Sequence, residues 1–215
     1  MPAQNITVDA TLTINTYSAF FYIDETSTEP YAVVPTVYDA EIELPDGITY
    51  IGGSAFSGTA FKYDDSNWEN GALYIGDYLI DTKSNSESVT VKDGTKLIAS
   101  GAFHGAVTGI VIPDSVVSLG IETFYSCSNL KEITIGSGVK NIGYDPFYYC
   151  KTLEKITVSP ENTVYSTDEN GILFNKDKTV LIRYPAKSTN TSYTIPDGVK
   201  TISERAFEYC SNLAT

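Results

Sequence analysis

A thirteen-residue pattern recurs five times along this chain, and a chain that copies one short unit is committed to stacking the copies. The copies are LPDGITYIGGSAF from Leu44, VKDGTKLIASGAF from Val91, IPDSVVSLGIETF from Ile112, IGSGVKNIGYDPF from Ile135 and IPDGVKTISERAF from Ile195. Their closing phenylalanines are Phe56, Phe103, Phe124, Phe147 and Phe207, five of the nine in the chain. Successive spacings of 47, 21, 23 and 60 residues fit a unit of about 23 residues carrying two long insertions.

Each repeat position has a physical reading. Five residues before the Phe stands Ile51, Ile98, Leu119, Ile142 or Ile202; three earlier stands Ile48, Thr95, Val116, Val139 or Val199. With the Phe they predict one inward row. A small residue, Gly52, Ala99, Gly120, Gly143 or Ser203, follows the Ile or Leu every time, as expected where one backbone turns tightly against its neighbour. Pro-Asp at 45–46, 113–114 and 196–197 marks a turn after a strand.

The other half of the unit alternates with period two. In LKEITI, Leu130, Ile133 and Ile135 are expected inside and Lys131, Glu132 and Thr134 outside; LEKITV repeats this at Leu153, Ile156 and Val158. Stacking places the outward residues Glu43, Thr90, Val111, Thr134, Thr157 and Thr194 in a ladder with a spacing of roughly 4.8 Å. One rung alone cannot bury its apolar side, but several stacked rungs share a core.

The string IPDSVVSLGIETFYSCSNLKEITI closely resembles the BspA-like leucine-rich repeat of bacterial surface proteins, and the likeness extends over about residues 40–215. The resemblance implies a right-handed leucine-rich repeat solenoid, β-rich, with a parallel sheet on one face and short helical turns on the others. It also implies surface or secreted proteins used in binding and adhesion. Thr123 and Pro146 stand where the family unit has Ala, and Gly58 and Gly105 depart from its Cys-bearing end.

Two insertions, about residues 62–88 and 159–191, each place Asn-Gly before an apolar strand and a second apolar strand after a polar turn. Both read as β-hairpins that replace or extend a rung. Residues 41–215 are assigned to the solenoid. Residues 1–40 read as an acidic β cap or the end of a preceding domain, with the strictly alternating ITVDATLTI as a strand. SNLAT stops in mid-unit, and Met1 before Pro2 reads as an added initiator, so a longer protein with a removed leader is expected.

Composition excludes several chemistries. The net charge is −13 with one histidine, which disfavours nucleic acid and anionic membranes as partners and leaves little room for a Ser-His-Asp triad or a His-rich zinc site. Residues 1–61 carry eight acids and no Lys or Arg, so the acidity concentrates ahead of the repeats. No stretch approaches the roughly 20 apolar residues of a membrane span.

The remaining polar candidates read mainly as structure. Cys127, Cys150 and Cys210 share one register, three residues after the Phe, as small buried fillers, with a Cys127–Cys150 bond between rungs left open. His104, at a variable position, is expected on an exposed turn. Ser166, Asp168, Asn170, Gly171 and Asp177 echo a calcium loop but lack its acidic first position and its final Glu, and read as a turn. No metal or cofactor is expected, and no catalytic residue.

Tyr125, Tyr148, Tyr149 and Tyr209 fall one or two places past the repeat Phe. They read either as half-buried packing between rungs or as an aromatic strip for a protein or sugar. With Thr90, Thr134, Thr157 and Thr194 they are the candidate partner-binding residues. The expected function is a non-enzymatic, monomeric cell-surface or secreted adhesion module. Its partner is a protein, from host matrix or another surface, or a glycan. The alternative is a carbohydrate-binding or substrate-targeting module of a larger secreted enzyme system. A carboxylate-pair hydrolase needs no histidine, but no acid pair stands out.

Overall fold

The computed structural model describes residues 17–21, 32–36 and 42–214. The elements in chain order begin with β1 (Tyr17–Phe21), β2 (Ala32–Thr36), α1 (Ala60–Tyr63), a 3-10 turn (Asp65–Asn67), β3 (Trp68–Glu69), β4 (Ala72–Ile75) and β5 (Tyr78–Thr82). The stacked rungs follow as β6 (Leu97–Ile98), β7 (Gly109–Ile112), β8 (Ser118–Leu119), β9 (Glu132–Ile135), β10 (Asn141–Ile142) and β11 (Lys155–Val158). The series closes with β12 (Tyr165–Thr167), β13 (Leu173–Asn175), β14 (Val180–Arg183) and β15 (Thr201–Ile202). β1 and β2 form an antiparallel pair. The strand expected over ITVDATLTI lies outside the described residues.

The chain winds into a β-solenoid of about five turns whose sheets are mostly parallel, with almost no helix. The regular turns in the middle of the solenoid contribute to two parallel ladders. β7, β9 and β11 pair in the unslipped register that places Val111, Thr134 and Thr157 side by side. β6, β8 and β10 form the second ladder from the two-residue strands around the repeat Ile or Leu. The corners that the resemblance implies as helical are hydrogen-bonded turns here, and α1 is the only α-helix among the described residues.

One hydrogen bond recurs at every junction of the second ladder from β5 to β10, and again between β14 and β15. The residue after the repeat Ile or Leu donates its N–H to the carbonyl of the preceding rung's Ile or Leu: Ala99 to Leu79, Gly120 to Ile98, Gly143 to Leu119 and Ser203 to Leu181, each at 2.9 Å. This contact explains the small residue. A Cβ on Gly143 would stand 2.5 Å from the carbonyl carbon of Gly120, and one on Gly120 would run into Ser100 backbone. Gly52, expected to be equally crowded, has open space around it.

Inside, Phe103, Phe124 and Phe147 stack at centroid distances of 5.4 and 5.3 Å, all fully buried. The alternation holds: Leu130, Ile133, Ile135, Leu153, Ile156 and Val158 are buried. Both insertions are antiparallel hairpins, β4–β5 and β12–β13–β14, and in each the last strand joins the next rung in parallel. They therefore supply rungs rather than decorate them.

The second insertion leaves a seam. Tyr184 takes the Phe position in its rung, since its N–H bonds Ala206 as Phe124 N–H bonds Pro146, and its ring stacks on Phe207 at 5.4 Å. The buried residues nevertheless divide into two clusters: one runs through Phe147 and Val158, the other gathers Ile172, Phe174, Leu181, Tyr184 and Ala206. On the outer rung Ile202 is 50% exposed, so the inward row predicted from the repeat does not close over it.

Gly143→Ala is expected to lower stability by about 1–3 kcal/mol, because backbone rather than a flexible side chain occupies the space the methyl needs. Gly198→Ala, with nothing within 4 Å, is expected to leave the urea midpoint where it is or raise it slightly. Equal midpoints for the two variants would contradict the crowded-rung account.

Candidate binding surface: a tyrosine corner

Each of the five repeat copies turns through the same left-handed backbone two residues after its Phe, whereas the Tyr184 rung, with Ala186 at that place, does not. Gly58, Gly105, Ser126, Tyr149 and Tyr209 occupy that position with φ of 80°, 79°, 57°, 62° and 61°. The left-handed conformation costs a residue with a Cβ roughly 1–2 kcal/mol, and glycine almost nothing. Gly58 and Gly105, read from the sequence as departures from the repeat, are thus the residues best suited to it. Tyrosine is among the least suited, and the chain places it there twice.

The repeat register brings the four candidate tyrosines together. Tyr148 and Tyr149 lie 4.5 Å apart between centroids, Tyr125 lies 5.5 Å from Tyr148, and Tyr209 lies 5.6 Å from Tyr149. Tyr125 and Tyr209 are exposed at 43% and 38%, while Tyr148 and Tyr149 are half-buried. Cations cover the rings: Lys151 Nζ stands 4.9 Å from Tyr149 and 5.0 Å from Tyr209, and the Arg205 guanidinium stands 4.5 Å from Tyr148. Partial desolvation, and then hydrogen bonding to Tyr149, raise the Tyr148 and Tyr209 phenols above their ordinary 10.0.

Arg205 is held by Asp145 at 2.6 Å and Glu204 at 3.0 Å. Beside Tyr209 opens a cleft of about 450 Å³ lined by Lys151, Thr152, Lys187, Tyr209, Cys210 and Ser211. In a chain of net charge −13, this corner sets Lys151 and Arg205 over aromatic rings and adds Lys187 in the wall of the cleft.

The candidate threonines are elsewhere on the rung. Thr134 and Thr157 are paired neighbours on β9 and β11, half-buried, beside Val111 at 63% exposure. Thr90 is exposed just ahead of this ladder, two residues past the Ser88–Gly109 bridge. Thr194 is exposed and outside any strand, because the second insertion interrupts the ladder before it.

The remaining candidates have structural partners. His104, expected on an exposed turn, is half-buried, its Nε2 3.7 Å from the buried Asp81, which also pairs with Lys62 at 2.5 Å. Asp168 closes a turn: one carboxylate oxygen accepts from the N–H groups of Asn170 and Ile172, and the other from the Tyr193 hydroxyl. Cys127 and Cys150 are buried and Cys210 is half-buried, and all three are free thiols. Burial raises all three, Cys150 to about 12 and Cys210 to about 11.

Sequence reasoning missed two buried polar residues of the second insertion. Asn162 is fully buried and fully bonded, donating to the carbonyls of Gly136 and Val139 and accepting from Val164 and Tyr165 N–H. Arg183, 2% exposed, donates to the Arg205 carbonyl at 2.7 Å from the position where most other rungs carry Ala, Thr or Pro. The place of Tyr184 one residue later in the Phe register was the available signal for it.

A model of the BspA type leucine-rich repeat region matches residues 38–108, 104–171 and 184–215, in six copies. The chain belongs to this family. It is similar to a leucine-rich repeat protein from Eubacterium ventriosum at 31% identity and a TM-score of 0.50, over 60% of this chain and 41% of that one. It is also similar to a leucine rich cell surface protein from Faecalibacterium prausnitzii at 30% identity and a TM-score of 0.52, over 58% and 33%. The chain thus spans less than half the length of either relative. No curated protein matches it. No helix among the described residues is long and apolar enough to cross a membrane.

Because burial disfavours the thiolate, alkylation of the native chain by iodoacetamide at about pH 8 is expected to be slow. Cys210 should react first and Cys127 and Cys150 only after unfolding in urea. Rapid native labelling of Cys127, read by peptide mass spectrometry, would contradict their burial between rungs.

Proposed function

We propose that this chain is a non-enzymatic binding and adhesion module, secreted or displayed at a cell surface, that holds a protein partner at the tyrosine corner. The observation that carries the reading is the placement of Tyr149 and Tyr209 in left-handed conformations that Gly58 and Gly105 fill in other rungs. Strain of this kind persists where it serves a site. Clustered Tyr with Arg is also the composition of interface hot spots, because the rings bury area at little entropic cost and the hydroxyls satisfy polar groups across the interface.

Family membership and a relative described as a cell surface protein support the location. The cations support a partner chemistry. Lys151 and Lys187 beside the exposed Tyr209 suit an acidic, partly apolar protein segment, which the strongly negative remainder of the chain would otherwise repel. A monomer suffices, since the corner is assembled within one chain.

Binding of the purified chain to an array of extracellular-matrix and surface proteins tests the reading. Tyr149→Ala should weaken the strongest interaction by tenfold or more, equivalent to about 1.4 kcal/mol. Lys151→Glu should slow association, and added salt should weaken binding to the parent chain more than to this variant. Protein binding unaffected by both substitutions would overturn the assignment. Glycan binding abolished by Tyr149→Ala, with no protein hit, would favour the carbohydrate-module alternative.

A further inference from the structure

The seam between the two core clusters contains a cavity of about 260 Å³, close to the roughly 300 Å³ at which pockets for drug-sized ligands begin. Apolar groups from Ile142, Pro146 and Ile182 form part of its wall, and Tyr144 and Tyr165 contribute aromatic residues. Its polar groups are of both kinds. Asp145 and Glu204 bring acceptors, Ser203 a hydroxyl, and Arg183 a donor. Arg183 is 2% exposed and its Nε–H has no hydrogen-bond acceptor, while the buried Oε2 of neighbouring Glu208 accepts no hydrogen bond and stands 3.8 Å from Arg183 Nη1 as its ion-pair partner. A buried donor left unmade costs about 1–3 kcal/mol, so a molecule that accepts from it recovers that cost.

The charges narrow what such a molecule is. A compact anion would meet the carboxylates of Asp145 and Glu204, and a cation would meet Arg183 with Arg205 just behind it. A wholly apolar group would leave Arg183 Nε as it stands. A neutral polyhydroxyl ring satisfies all of these walls, with C–H faces for the tyrosines and hydroxyls that both donate and accept.

A second hollow of about 300 Å³ shares Ile142, Gly143 and Tyr165 with the first and adds Tyr50, Thr49 and Asn141. Tyr165 is the partition between them. Its hydroxyl oxygen accepts from the N–H of Ile142 at 3.0 Å, which fixes the side chain at the edge of β10 and leaves the O–H hydrogen free to donate. We infer that the seam and this adjoining hollow form a binding groove for a neutral oligosaccharide, with one sugar ring in the seam and the next across Tyr165. The groove is lined by other residues than the tyrosine corner, with Arg205 standing between the two, on Tyr148 on one side and on Asp145 and Glu204 on the other, and it takes a different class of ligand.

Titration calorimetry of the whole chain with maltotriose, cellotriose, mannotriose and chitotriose, and with sialyllactose as the anionic comparison, tests the groove. At least one neutral trisaccharide should bind and raise the thermal midpoint. Ile182→Trp, which fills the seam, should abolish that binding, and Glu204→Gln should weaken it about tenfold or more. An unchanged thermal midpoint without ligand establishes that each variant folds; if Ile182→Trp does not fold, Glu204→Gln, whose side chain is 56% exposed, carries the test. No binding by any neutral sugar would overturn the inference, as would preference for sialyllactose. So would binding that survives Glu204→Gln in full or is lost with Tyr149→Ala instead.

Discussion

The structure depends on one backbone hydrogen bond repeated rung after rung, from the residue after the repeat Ile or Leu to the equivalent carbonyl one turn earlier. Ala99, Gly120, Gly143 and Ser203 make it with a constant length of 2.9 Å, and a constant length means a constant rise. That rise stacks Phe103, Phe124 and Phe147 at ring contact distance and aligns Val111, Thr134 and Thr157 on the other ladder. Side chains that share a repeat position therefore become neighbours in space, although 21 to 60 residues separate them along the chain. The tyrosine corner is a product of this geometry: Tyr149 and Tyr209 are 60 residues apart in sequence and in ring contact.

The corner also shows where local preference yields to something else. Five rungs turn through a left-handed residue two places after the Phe, and two of them meet the demand with glycine. Tyr149 and Tyr209 do not, and Lys151 spans both rings. The same rungs border the seam where Arg183 is buried at a position that elsewhere takes small or apolar residues. The left-handed tyrosines and the buried arginine thus share one stretch of the solenoid, from Phe147 to Tyr209, while the earlier departures from the repeat, Gly58, Gly105, Thr123 and Pro146, are all small or apolar residues. That distribution is the pattern expected of a regular scaffold carrying local function.

Much of this was legible in the residues. The Phe column, the period-two strands and both hairpins follow from spacing, because periodicity records which side of a rung faces inward. The four tyrosines were legible as a set for the same reason. What spacing could not convey was conformation. Gly58 and Gly105 read as weakened repeats because φ is invisible in a sequence, and Gly52 read as crowded because its neighbour across the rung could not be known. Thr194 read as part of the ladder because the repeat does not tell where an insertion diverts the chain. Arg183 and Asn162 were missed because each answers a polar demand that only the assembled seam creates.

The central claim is that Tyr149 and Tyr209 occupy left-handed corners for binding and against the interest of stability. The most direct measurement pairs urea denaturation with partner binding for the double variant Tyr149→Gly, Tyr209→Gly. The account predicts a midpoint equal to or above that of the parent chain, since relief of roughly 1–2 kcal/mol at each position offsets the lost ring contacts, together with loss of the protein partner. A lowered midpoint with binding intact would contradict it, and would make the tyrosines packing residues of the corner.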